Sequence, residues 1–241
     1  MQNVEMRWQD VGISNNFIFI HVLQNKSLAS KFLKLITHIE IVDIDTPKPE
    51  KYFDSFIDAK SIKSDIYISD KNIYNIECQV KNEKKDPLNL RQRFIHSTLS
   101  VNSLDKGKKY EKLQNNFVIF ICKYDYFNCG FPVYEFNNKK CEKHENIELN
   151  DLTHTIILNS TYKYKDGVDP DLLGFLDYFN GSEPKSEIAK ETSDEVQRVK
   201  SKNTIKEQFM NLSMMIRDAE VNAYDDGYNS GFDSGSKNTK I

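Results

Sequence analysis

The stretch DIYISDKNIYNIECQV, residues 65–80, decides the fold. DIYISD at 65–70 and IYNIECQV at 73–80 are rich in β-branched and aromatic residues, and Asp70, Lys71 and Asn72 between them are turn formers. The pattern predicts a β-hairpin. Because a strand sends alternate side chains to opposite faces, Glu77, Gln79 and Lys81 are expected on one face and Ile76, Cys78 and Val80 on the other. Pairing across the turn brings Asp65 toward the Glu77 end of the polar face, so that two carboxylates converge.

Upstream of the hairpin, Phe17, Phe19, Val22, Leu23, Leu28, Phe32, Leu33 and Ile36 recur at helical spacing with a break near Asn25 to Ser27, which predicts one or two helices. IEIVDI at 39–44 reads as a strand, and Pro47 and Pro49 are expected to force the chain into a loop. Downstream, Pro87 precedes a helix over about 88–104, and FVIFIC at 117–122 reads as a strand buried on both faces. The order is α-β-β-β-α-β, an α/β fold. FPVYEF at 131–136 and THTIILN at 153–159 add strands, and LLGFLDYF at 172–179 adds a helix.

Beyond Gly181 the chain turns rich in Lys, Glu and Ser in a polar helical pattern, ending in DGYNSGFDSG, where Gly227, Gly231 and Gly235 stand four apart. The expected organisation is one domain over residues 1–180 and a helical arm with a flexible Gly-repeat tail over 181–241. The arm's apolar positions Ile205, Phe209, Leu212, Met215 and Ile216 suit either a homodimer contact or packing on the domain.

Charged residues make up 29% and hydrophobic ones 39%, the balance of a soluble globular chain. Lys and Arg number 33 against 36 Asp and Glu, a net charge of −3 that argues against a globally basic nucleic-acid binder. Any such affinity is local: between Lys81 and Lys112 nine basic residues stand against four acids. Lys84 and Lys85, directly after the second strand, are candidates for phosphate contact, with a solvated charged loop as the alternative. No apolar run approaches the ~18 residues of a membrane span. With no secretory signal and no CxxC pair, the cytoplasm is the expected compartment. Cys122, Cys129, Cys141 and His144 lack the paired spacing of a zinc site and read as free thiols with an unrelated histidine. There is no GxSxG elbow, Walker A or dinucleotide glycine motif, so acyl transfer and nucleotide-driven chemistry are not suggested and no nucleotide cofactor is expected.

On the helix from Leu88, Arg93, His96, Ser97, Ser100 and Ser103 form a polar stripe expected to face outward. Arg91 falls instead among Phe94, Ile95 and Thr98 on the inward side. A buried guanidinium there needs an anionic partner: substrate phosphate, an active-site carboxylate, or an ordinary salt bridge. Asp65 and Glu77 supply the one or two carboxylates through which Mg²⁺ is bound, and such an ion activates water and neutralises charge on a phosphodiester. An acidic pair on a solvated strand face is the plain alternative.

KSIKSDIYISDKNIYNIECQVKNE, residues 60–83, resembles the aspartate strand and ExQ strand of the Rpn family of recombination-promoting nucleases, which also carries a transposase label, within the PD-(D/E)xK superfamily. The likeness extends to NNFIFIHVLQNKSLASKFLKLI at 15–36, LRQRFIHS at 90–97 and LDKGKKYEKLQNNFVIFICKYDYF at 104–127, and covers roughly residues 15–180. The Gly-repeat tail is also similar. The resemblance implies a restriction-endonuclease-like core with a central mixed sheet and an Mg²⁺-dependent DNA endonuclease, with Mn²⁺ as a substitute ion. The implied metal ligands are Asp65, Glu77 and the main-chain carbonyl of Cys78. A role in recombination, mobile elements or defence is implied as well.

Gln79 then stands at the superfamily's lysine position. Its amide can orient a water and cannot act as a general base, so the proton must leave by another route. Lys81 is expected further along the same face, where its ammonium would restore part of the missing charge, and a solvated lysine is the alternative. The competing functional expectation is a nuclease fold that has lost catalysis and serves as a DNA-binding or protein-interaction module.

Overall fold

Every residue of Asn116–Cys122 is buried, as a strand covered on both faces must be. A computed structural model describes residues 7–41, 44–53, 62–83, 87–137 and 139–238 of the chain. Its elements run α1 (Asn16–Val22), α2 (Lys26–Thr37), β1 (Lys48–Phe53), β2 (Ile62–Ser69), β3 (Ile73–Gln79), α3 (Leu88–Ser103) and β4 (Asn116–Cys122). There follow β5 (Val133–Phe136), β6 (Lys140–Cys141), β7 (His144–Glu148), β8 (Thr153–Asn159), α4 (Pro170–Asn180), α5 (Glu187–Lys200) and α6 (Asn203–Asn238). The protein is α/β. A mixed six-stranded sheet in the order β1-β2-β3-β4-β8-β5 is flanked by helices, and β6 and β7 form a separate pair.

The hairpin read from the sequence is present: β2 and β3 are antiparallel, with Ile66 opposite Ile76 and Ser69 opposite Ile73. β3 and β4 are parallel, and α3 is the crossover between them. β4 also runs parallel to β8, so β4 lies between two parallel neighbours. Strand parity divides the core. Ile76, Cys78, Ile119, Ile121, Ile156 and Leu158 face the layer formed by α1, α2, α4 and α5. Ile73, Val118, Phe120, Cys122 and Ile157 face Leu88, Ile95 and Leu99 of α3.

Two expectations near the first strand are corrected. The described residues of the 39–44 run, 39–41 and 44, are not in a strand. The strand is β1, and Pro49 lies inside it opposite Ile66. β1 is the sheet's edge, where a residue without an N–H costs no ladder bond if its nitrogen points outward.

Asparagine caps open both helices, Asn15 before α1 and Asn25 at the break between α1 and α2. The Asn15 side chain accepts from the N–H groups of Phe17 and Ile18, and the Asn25 side chain from that of Leu28. α5 lies across this joint and adds Ile188, Val196 and Val199 to the main core. α6 packs on the same core through Phe209 and Ile205. Leu212, Met215 and Ile216 are exposed further along it, and the helix continues through Gly227, Gly231 and Gly235. Among the described residues no helix is long and apolar enough to cross a membrane.

Asn25 also donates to Glu195 of α5 at 3.0 Å, and Glu195 is buried beside Arg198. Asn25→Ala therefore removes a helix cap and one of the bonds that solvate a buried carboxylate. The expected loss is about 1–2 kcal/mol in urea unfolding, and an unchanged midpoint would show that the joint contributes nothing.

Candidate active site

β2 is shared unequally between its neighbours. It pairs with β1 from Ile62 to Tyr67, but with β3 only from Ile66 to Ser69. β3 continues along β4 to Gln79. The two strands of the hairpin therefore part at Asp65, whose place in the register is opposite Glu77. The Cys78 N–H, which an unbroken ladder would direct to a β2 carbonyl, donates instead to Asp65 Oδ2 at 3.0 Å. The other oxygen, Oδ1, accepts from Asn16 Nδ2 at 3.2 Å, and Asn16 opens α1 directly after its cap. Asp65 thus holds the gap between strands and the start of α1 together.

Glu77 is wholly buried on the α3 side of the sheet. Its Oε2 accepts from Arg91 Nη2 at 2.7 Å and its Oε1 from Asn75 Nδ2 at 3.0 Å. Arg91 Nη1 lies 3.5 Å from Gln79 Oε1. Arg91 is the inward residue of α3's first turns, as expected, and the anion it meets is Glu77. The alternative of a solvated acidic pair is excluded for Glu77.

Burial pushes the Glu77 carboxyl up to about 8, reinforced by the charge of Asp65, with Arg91 and the Asn75 amide pulling the other way. Asp65 is also raised by burial, against the Cys78 N–H, Asn16 and Arg91. Two interacting carboxyls titrate as a unit, and burial pushes both toward holding a proton, with Arg91 opposing it at each.

The other candidate residues divide. Cys78 donates its N–H into the gap, and since a strand residue directs its N–H and C=O to the same side, its carbonyl also faces the edge that β2 vacates. β3 ends at Gln79, so alternation no longer holds at Lys81, which is exposed in the following bend and not on the strand face expected for it. Arg93 is exposed on α3 as expected. Lys84 and Lys85 lie outside the described residues. His96 is corrected from outward to buried: its ring bonds Asn116 Oδ1 and Thr155 Oγ1 at the polar starts of β4 and β8. Phe94, expected inward, is exposed.

Three neighbours of the site were not singled out in the sequence. Asn75 shares the strand parity of Glu77 and Gln79, a signal that was there to be read. Asn16 reaches Asp65 across 49 residues, which no local pattern encodes. Lys123 follows β4 at the same sheet end, where its N–H donates to the Gln79 carbonyl and its ammonium to Ser14 Oγ at 3.4 Å.

Among the described residues no group of three or more His, Cys, Asp or Glu side chains is arranged to hold a metal. The donors at the gap are instead two carboxylates and one main-chain carbonyl, all hard oxygens, and that set fits Mg²⁺ or Mn²⁺ with waters and substrate completing the shell. No protein-family model, curated protein or solved structure matches the chain.

Because the folded Glu77 carboxyl binds its proton more tightly than an unfolded one, its contribution to stability is full below about 4.5 and is lost as pH rises through about 8. In EDTA, the unfolding midpoint of the parent is expected to fall relative to that of Glu77→Gln between pH 5 and pH 9. A constant difference across that range would refute the raised carboxyl.

Proposed function

We propose that the chain is a metal-dependent DNA endonuclease of the PD-(D/E)xK kind, as its resemblance to the Rpn nucleases implies. The observation that carries the reading is the opposition of Asp65 and Glu77 at the point where β2 leaves β3, with a main-chain N–H on one and an arginine on the other. The mixed sheet, with its parallel crossover through α3, supports the same reading.

In this reading Asp65, Glu77 and the Cys78 carbonyl would hold Mg²⁺, and the ion, when bound, would supply positive charge at the phosphodiester and lower the pKa of a bound water. Arg91, bonded to Glu77 at 2.7 Å, favours the anionic form of that buried carboxyl. Gln79 accepts from Arg91 through Oε1, which turns its NH₂ donor away from the guanidinium to orient a water. Asn16 and Asn75 fix the rotamers of the two carboxylates.

The complete burial of Glu77 under Arg91 favours a second reading, in which the pair is structural and the chain is a nuclease-fold module that binds DNA or protein without cutting. Plasmid nicking with Mg²⁺ or Mn²⁺ separates the two. The parent is expected to nick, and Asp65→Asn and Glu77→Gln to fall by at least about a hundredfold while still folded. Equal nicking by all three would assign the activity to a contaminant, and DNA binding without nicking by the parent would favour the module.

A further inference from the structure

Three rings stack across the sheet on the face away from Glu77. Tyr74, Phe117 and His154 stand in register on β3, β4 and β8. The ring centres of Tyr74 and Phe117 are 5.1 Å apart with planes 21° from parallel, and those of Phe117 and His154 4.4 Å apart and 11° from parallel. The strand spacing itself sets these stacks. The next strand interrupts the series. β5 pairs with β8 from Val133 to Phe136, the last opposite Thr155, so no ladder residue stands opposite His154.

A cavity of about 270 Å³ lies against this place. His154, Glu135 of β5 and Asn137 just after it line one part, and Thr37 and Ile39 at the end of α2 line another. The volume is at the small end of ligand sites and suits a single planar ring system. Strand parity puts Glu135, opposite Ile156, on the same face as His154.

The polar groups here are set to accept. Asn115 Nδ2 donates to Asn72 Oδ1, so Asn115 Oδ1 is the atom that meets His154 Nε2 at 3.3 Å. Nε2 therefore carries the hydrogen and Nδ1 is an acceptor. Burial lowers the pKa of this ring, with the charge of Asp151 opposing, so the imidazole is neutral near neutral pH. Among the described residues that line the cavity, Glu135 is the one with a charged side chain, and it is exposed. A carboxylate accepts two parallel N–H bonds from a ligand that presents two donors side by side, and it disfavours a phosphorylated one.

We propose that this cavity binds an uncharged planar heterocycle with a 2-amino-4-oxopyrimidine edge, stacked on His154 as the fourth ring of the series and donating its paired N–H groups to Glu135. Guanine and pterins share that edge. Adenine sets an acceptor beside its amino group and would turn a lone pair toward the carboxylate. The site lies on the other face of the sheet from the candidate active site and does not rest on the nuclease reading.

Isothermal titration calorimetry of the full chain in EDTA tests this with guanosine and biopterin, and with adenosine for comparison. At least one of the first two is expected to bind with a Kd on the order of 0.1 mM or below, and at least about tenfold more tightly than adenosine. The tighter of the two assigns the source of the edge. Glu135→Gln, at an exposed position, is expected to weaken binding by at least about tenfold with the thermal midpoint unchanged. His154→Leu is expected to weaken it by on the order of tenfold, whereas His154→Phe, which keeps a ring in the series, binds like the parent. The proposal is overturned if neither probe binds at about 1 mM, if adenosine binds as tightly, or if Glu135→Gln or His154→Leu binds like the parent.

Discussion

The structure turns on one electrostatic problem, a pair of carboxylates placed where a sheet would ordinarily be apolar. Glu77 lies in the interior and Asp65 nearly so; burial raises the proton affinity of both, and the charge of Asp65 adds to the rise at Glu77. An isolated buried carboxylate costs several kcal/mol, and the surroundings are organised to offset that. α3 brings Arg91, β3 brings Asn75, α1 brings Asn16, and the opened ladder brings the Cys78 N–H. Two partners come from β3 itself and one from each helical layer, so the carboxylate pair ties the hairpin to both layers.

That arrangement also explains why the hairpin is incomplete. Had β2 remained paired with β3 beyond Ile66, the Cys78 N–H would have gone to a backbone carbonyl and Asp65 would have had no donor in the sheet. By following β1 instead, β2 opens an edge at which the Asp65 carboxylate takes the place of a backbone acceptor. A sheet that left those oxygens dry and unpaired would be unstable. Here each carboxylate oxygen is met by a donor, from Cys78, Asn16, Asn75 or Arg91, and this is what lets the pair exist in the sheet.

What the sequence made legible follows from period and turn chemistry. The hairpin at 70–72, the buried run at 117–122 and the α3 crossover were readable because alternation, turn residues and continuous apolarity are local. Arg91 was readable because helical phase set it among apolar neighbours. His96 was misread for the complementary reason. Phase placed it with serines, yet β4 and β8 begin with Asn116 and Thr155, so a polar face of α3 could turn inward and still be satisfied. Pro49 was misread because its tolerance depends on β1 being an edge, a property of sheet order and not of the tripeptide around it. Lys81 required knowing that β3 stops at Gln79. Asn16 was beyond reach, since its role exists only once the N-terminal helix is laid against the far end of the hairpin.

α3 is where these separate features become one device. As the crossover between parallel strands, it must lie over β3 and β4 and cover the sheet face that carries Glu77. Its first turns then hold Arg91 on the carboxylate and Asn89 on Tyr126, so the helix that makes the parallel pairing feasible also bonds the loop after β4. Movement of the helix along the sheet would change both contacts together. Ile95 and Leu99 oppose such movement by packing against β4, as does the His96 bridge to Asn116 and Thr155. The buried histidine that looked like surface decoration is therefore best understood as the pin that fixes the position of the arginine.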